Sequence, residues 1–207
     1  MKQLKLFKVV SLSSWVLFMA CGGNQEPAVA PEPPAAEEPA AVTEAPPPAE
    51  TAPAAAAEPA PPKTVEVTLQ AKSNSKLAGK ATFTETPEGV KVAITVEGIS
   101  PGDHGSHVHE TGDCSAPDAK SAGGHFNPAG HSHALPATNE RHLGDLGNIT
   151  VGKDGKGTHE ITVPGANLKE GDKNSYLGKA IIIHEKKDDG GQPVGNAGGR
   201  IGCGEIK

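Results

Sequence analysis

One stretch of this chain cannot contribute to a folded core. Residues 22–62 comprise 14 Ala, 12 Pro, 7 Glu and eight others, with no Lys or Arg. Proline fixes φ, glutamates repel one another, and almost no large apolar group is present to bury, so the segment reads as a disordered tether. A coil of that length reaches roughly 35 Å and a polyproline form roughly 125 Å, enough to hold a domain off a surface. Any core must therefore come from residues 63–207, a length suited to one domain. The formal charge of −6 splits into +3 for residues 1–21, −7 for the tether and −2 for the remainder. A near-neutral domain behind an acidic stalk carries no electrostatic footprint for nucleic acid, and no such partner is expected. Phe83, Phe126 and Tyr176 are the domain's aromatics, so Val, Ile and Leu must build its interior.

The first 21 residues read as an export address. Met1–Lys8 is basic, residues 9–20 are mostly apolar, and small residues close the run. This is the pattern of a signal peptide, and no apolar run reaches the ~18 residues of a spanning helix. Leu17-Phe18-Met19-Ala20-Cys21 is similar to a bacterial lipobox, in which the Cys is lipidated and becomes the mature N-terminus. Phe18 departs from the aliphatic residue usual there, so cleavage and release is the alternative. Lipidation at Cys21 would anchor the protein to a bacterial membrane, facing the periplasm or the cell exterior. More than one acyl chain is needed for that, since each buried CH₂ contributes only about 0.8 kcal/mol.

The remaining residues read as all-β. Thr64–Gln70 alternates apolar and polar groups, and Leu77–Thr84, Val90–Val96, Ile149–Val151, Thr158–Val163 and Ala180–His184 are further short β-branched runs. Thr86-Pro87-Glu88-Gly89 is a hairpin turn between two of them. No apolar stripe of helical period appears. Two long loops, about 111–143 and 185–199, are uncommon in a compact domain unless they serve a function. Short, evenly spaced strands predict an antiparallel sandwich or barrel with Greek-key crossings.

All nine histidines lie in this domain, at 104, 107, 109, 125, 131, 133, 142, 159 and 184. His107-Val108-His109 puts two imidazoles on one face of a strand, because side chains alternate with period two. Two convergent imidazoles are half of a transition-metal site. His142 and Asp145 add a nitrogen and an oxygen ligand in a turn, and His184 ends the run Ile181-Ile182-Ile183. Seven or eight such groups exceed one tetrahedral site, which implies two metals, or one metal with a dense surrounding shell. His159 reads as a surface residue without a role, and His104 as structural, bonded to backbone near the loops.

The order of these motifs resembles the copper/zinc superoxide dismutase family. The likeness runs from Gly105-Ser106-His107-Val108-His109-Glu110 through Gly112-Asp113-Cys114 and Gly124-His125-Phe126-Asn127-Pro128. It continues through residues 141–148, His184-Glu185-Lys186 and Asp188-Asp189, and ends at residues 195–200 with Cys203-Gly204. It covers essentially all of 64–207.

The resemblance implies copper held by His107, His109, His125 and His184, and zinc by His125, His133, His142 and Asp145, one of each metal per subunit. His125 would bridge both as an imidazolate and take part in catalysis. His131 competes with His133, and the family spacing selects His133. Asp188 would bond one copper and one zinc histidine, Arg200 would attract and orient the superoxide anion, and Cys114 would pair with Cys203. Cys21 is then the odd cysteine. Which lysines steer substrate, Lys186 and Lys187 among them, stays open, as does a homodimer. The alternative is an exported copper/zinc-binding or copper-delivery module without turnover.

Overall fold

The computed structural model describes residues 61–207. The signal segment, Cys21 and nearly all of the tether lie outside the described residues. Eight strands follow in chain order: β1 (Thr64–Ala71), β2 (Ala78–Thr86), β3 (Gly89–Glu97), β4 (Gly102–His109), β5 (Asp145–Val151), β6 (Lys156–Pro164), β7 (Lys179–His184) and β8 (Arg200–Ile206). All neighbours pair antiparallel, and the sheet closes as a barrel in the order β1-β2-β3-β6-β5-β4-β7-β8. Closure removes the edges that an open sheet would expose. The β3–β4 and β6–β7 connections skip two strands each, which makes the Greek key. The hairpin turn falls where expected, with Thr86 opposite Gly89.

Alternation decides what each strand buries. Val65, Val67 and Leu69 on β1, and Val90, Val92, Ile94 and Val96 on β3, fill the barrel. Phe83 and Phe126 meet the Tyr176 ring edge-on at 5.9 and 6.1 Å. The buried Tyr176 hydroxyl donates to the Leu143 carbonyl at 2.6 Å, satisfying the phenol and fixing the end of the first long loop.

Strands β4 and β7 are buried on both faces over most of their length. Val108, Ile181 and Ile183 point into the barrel. Ala180 and Ile182 point outward, into a second apolar cluster with Cys114, Ala119, Ala122 and Cys203. The loop after β4, which carries a short 3₁₀ turn at Lys120–Ala122, covers that outer face. Cys114 and Cys203 are bonded across it, with Cα atoms 5.8 Å apart and 89 residues of separation.

His159 corrects the sequence expectation. It is half-buried on β6, and its Nε2 donates to the Leu146 carbonyl of β5 at 2.8 Å. Strands β5 and β6 share few ladder pairs, only Thr150 with Thr158 and Val151 with Gly157. The imidazole ties them where the ladder does not. A tertiary gap of this kind leaves no mark on local sequence pattern.

Candidate metal centre

The same alternation that sends Val108 inward sends His107 and His109 outward from β4. His184 shares the outward parity of Ala180 and Ile182, on the strand hydrogen-bonded to β4. Three imidazoles therefore meet on the outside of the barrel, beneath the two long loops. An isolated bridge between His109 and His125 brings the first loop alongside. Close approach of the second loop needs Gly105, where a Cβ would sit 3.1 Å from Ala197 Cβ and 3.2 Å from Asp188 Cβ.

His107, His109, His125, His133, His142, His184, Asp145 and Asp188 are all buried. Donor atoms within 4.8 Å of one another form two overlapping quartets. One is His107, His109, His125 and His184; the other is His107, His125, His133 and Asp145. His142 stands at the rim of the second, with Nδ1 3.2 Å from Asp145 Oδ1 and 3.4 Å from His125 Nδ1. His125 Nδ1 and His133 Nδ1 each lie 3.0 Å from the same oxygen. The other oxygen, Asp145 Oδ2, accepts from the His142 and Ala134 amides at 3.1 and 3.2 Å. His133 belongs to this cluster, whereas His131 is exposed and meets Asn127 through its backbone.

Among the described residues, four buried side-chain polar atoms lack a hydrogen-bond partner: His107 Nδ1, His109 Nε2, His133 Nδ1 and His184 Nε2. Leaving a buried polar atom unsatisfied costs about 1–3 kcal/mol, so four in one place require an explanation. His133 Nδ1 is instructive. It lies 3.0 Å from a carboxylate oxygen without hydrogen-bond alignment, as two donors do when both aim at a third point. This donor set fits transition-metal ions.

The opposite ring nitrogens are held. His107 Nε2 meets Asp188 Oδ2 at 2.8 Å and His133 Nε2 meets Asp188 Oδ1 at 3.0 Å. His109 Nδ1 faces the Gly123 carbonyl at 2.9 Å, and His184 Nδ1 faces Gly198 O at 3.3 Å. These contacts fix each tautomer and leave the other nitrogen a free lone pair. Sequence reasoning missed the next layer. The Asn148 side chain exchanges two hydrogen bonds with the Asp188 backbone, at 2.8 and 2.9 Å, and Gln192 Nε2 donates to the His133 carbonyl at 2.6 Å. These partners are 40 and 59 residues apart, so no local signal marks them. His104 bridges two carbonyls, His184 O and Ser100 O, each at 2.9 Å, in keeping with its structural reading.

Burial pushes three of the imidazoles down, His107 to about 4, His184 to about 3 and His109 to about 2, against an ordinary 6.5. Burial opposes the charge on His133 too, but Asp188 and Asp145 outweigh it and raise that group. Burial would raise the carboxyls of Asp145 and Asp188. Hydrogen bonds, from His125 to Asp145 and chiefly from His107 to Asp188, outweigh it and hold both below their usual range.

In metal-free protein the unfolded chain takes up protons near pH 6.5 at His107, His109 and His184, while the fold refuses them until far lower pH. Unfolding then binds protons, so these three groups lose stability as pH falls from about 6.5 towards 4. His133 has the opposite sign, its contribution being present below 6.5. Burial lowers His142 as well, so with four imidazoles against one the metal-free domain is expected to melt roughly 10 °C or more lower at pH 5 than at pH 7. A calorimetric melt at the two pH values checks this, and a flat profile would contradict it.

Arg200 opens β8 beside the cluster. Its Nη1 and Nη2 donate to Ala119 O and Gly123 O, both at 2.8 Å. It lines a surface cavity of about 280 Å³ with Ser73, Asp118, Lys120, Gly198 and Gly199. A larger hollow of about 370 Å³ over β2, β3 and β6 contains none of the candidate groups. Lys120 pairs with Asp118 at 2.9 Å, and Lys187 with Asp103 at 3.3 Å.

A closed Greek-key barrel with two buried, overlapping imidazole and carboxylate clusters on its outer wall defines a binuclear metalloprotein. Comparison with known proteins narrows the class. The family described as copper/zinc superoxide dismutase (SODC) matches residues 77–206. Superoxide dismutase (Cu-Zn) of Caulobacter vibrioides is 42% identical over 140 residues, 65% of this chain and 80% of that protein. Superoxide dismutase (Cu-Zn) 2 of Aquifex aeolicus is 39% identical over 140 residues, 65% of this chain and 82% of that protein. The crystal structure of a SOD-like protein from Bacillus subtilis superposes with a TM-score of 0.62 at 38% identity, covering 69% of this chain and 97% of that one. The chain belongs to the copper/zinc superoxide dismutase family. It is an oxidoreductase that binds copper and zinc.

Proposed function

We propose that the two clusters divide the metals, copper at His107, His109, His125 and His184, and zinc at His125, His133, His142 and Asp145. The activity is dismutation, in which two superoxide ions and two protons give dioxygen and hydrogen peroxide. The observation that carries the assignment is the set of four unpartnered ring nitrogens, each backed by a fixed opposite nitrogen. Short edges support His142 rather than His107 as the fourth zinc ligand. A tetrahedral ion with bonds of about 2.0–2.1 Å has ligand–ligand edges of about 3.3–3.4 Å. The distances of 3.0–3.4 Å among His125, His133, His142 and Asp145 approach that figure. His107 instead stacks on His125, with ring centroids 4.0 Å apart.

When bound, copper supplies a one-electron Cu(II)/Cu(I) couple, and zinc supplies charge without redox chemistry. The chain supplies the rest. Asp188 orients His107 and His133 together and so couples the geometries of the two clusters. His125 presents Nδ1 to the zinc-side carboxylate, which leaves Nε2 for the copper side. A proton held on that Nε2 between half-reactions is placed for delivery to the departing peroxide. Arg200, tied to two carbonyls and partly open to the surface cavity, offers its remaining N–H groups to a small anion.

Domain organisation belongs to the same proposal. Residues 1–21 form a signal peptide, residues 22–62 a Pro/Ala/Glu-rich tether and residues 63–207 the enzyme domain, with Cys21 lipidated on a bacterial membrane. The buried disulfide supports export to an oxidising compartment.

Dismutation assayed after copper and zinc loading tests the reading. Full occupancy without turnover would favour a metal-delivery module instead. Arg200→Ala is expected to slow turnover roughly tenfold at low salt, and less at high salt, with metal content unchanged. Unchanged kinetics at low salt would refute the role given to Arg200.

A further inference from the structure

Glu110 directly follows His109, is exposed, and has no part in the ligand sets above. Its carboxylate Oε1 accepts the Gly124 amide at 2.9 Å, while its own amide donates to Gly124 O at 2.9 Å. Lys179 Nζ donates to the Glu110 carbonyl at 3.1 Å and seats the residue from the other side. A peptide is planar and trans, so the Gly124 N–H and the Gly123 C=O are opposite ends of one rigid unit. The C=O end of this unit accepts both His109 Nδ1, at 2.9 Å, and Arg200 Nη2, at 2.8 Å. We propose that Glu110 is a positioning residue that sets the Gly123–Gly124 peptide plane, and through that plane both His109 and the Arg200 guanidinium. This rests on the roles proposed for those two residues.

The local backbone suits the task. Gly123 has φ 73° and ψ −150°, a conformation that side chains other than glycine rarely tolerate. A Cβ there would lie 2.5 Å from Glu110 Oε1, so its absence lets the carboxylate close on the neighbouring amide. The grip has two consequences. It stops the plane from rocking, which would otherwise leave Arg200 tethered by Ala119 O alone. An ionised acceptor on the N–H also polarises the peptide and makes its carbonyl a stronger acceptor at the other end. Nδ1–H of His109 then stays on the carbonyl, and Nε2, one of the unpartnered atoms, stays free of its proton.

The test compares Glu110→Ala and Glu110→Gln in the full chain. In metal-free protein, NMR follows the His109 Nδ1–H signal and the exchange of the Gly124 amide. In copper- and zinc-loaded protein, azide affinity and kcat/KM are measured with metal content and melting temperature. Glu110→Ala is expected to speed Gly124 exchange by roughly tenfold or more and shift the His109 signal. It should weaken azide binding and lower kcat/KM by roughly three- to tenfold at unchanged copper and zinc. Glu110→Gln keeps an uncharged acceptor and should fall between. Unaltered azide affinity with an unmoved His109 signal would overturn the proposal, and so would a loss seen only in melting temperature or metal content. Arg200→Ala is run alongside. If that variant binds azide normally, the role of Arg200 fails, while the Gly124 and His109 signals still decide the role of Glu110.

Discussion

Replacing His107 and His109 together by alanine is expected to empty the copper position and reduce dismutation to background. Loss of a partner behind a ligand typically costs about 10–100-fold in metal affinity, and losing two ligands outright costs more. Both imidazoles project outward from β4, and the atoms removed include two of the four unpartnered nitrogens. Val108, between them, keeps its place in the barrel, so the sheet should survive. Zinc should remain, because His125, His133, His142 and Asp145 are untouched. Metal analysis of purified protein, with circular dichroism as a folding control, reads the outcome. Copper content within twofold of the parent would dismantle the site assignment.

The second large effect is on stability. Changing both Cys114 and Cys203 to serine opens a loop of 89 residues. The chain-entropy model places the loss at about 4–5 kcal/mol, and a domain of this size should then melt on the order of 10–20 °C lower. The bond lies in the apolar cluster that seats the 114–122 segment on β7. That segment supplies Ala119 O, and the next residues supply Gly123 O, the two anchors of Arg200. Activity below the melting point should therefore fall more than metal content does. A melt of the double variant within a few degrees of the parent would show that packing alone holds the loop.

Much of the arrangement was readable in one dimension. Strand alternation placed His107 and His109 on one face, and short β-branched runs between turn residues indicated an antiparallel Greek-key sheet. Its closure into a barrel is an observation of the structure. The compositional break at residue 62 separated what can bury a core from what cannot. Motif order carried the family likeness, including Asp188, whose place between His107 and His133 no local pattern would reveal.

Convergence was decided elsewhere. His125, His133 and His142 come from the loop between β4 and β5 and His184 from the end of β7, and only the packing of that loop over β4 and β7 brings their nitrogens close to one another. His159 shows the limit plainly, since its use as a tie depends on a gap between β5 and β6. The grip of Asn148 on Asp188 and of Glu110 on the Gly124 amide likewise spans 40 and 14 residues. Residue type and spacing determine which groups are available and which face of a strand they take, because those follow from local backbone geometry. Which groups meet depends on loop closure and barrel register, and these are properties of the whole folded chain.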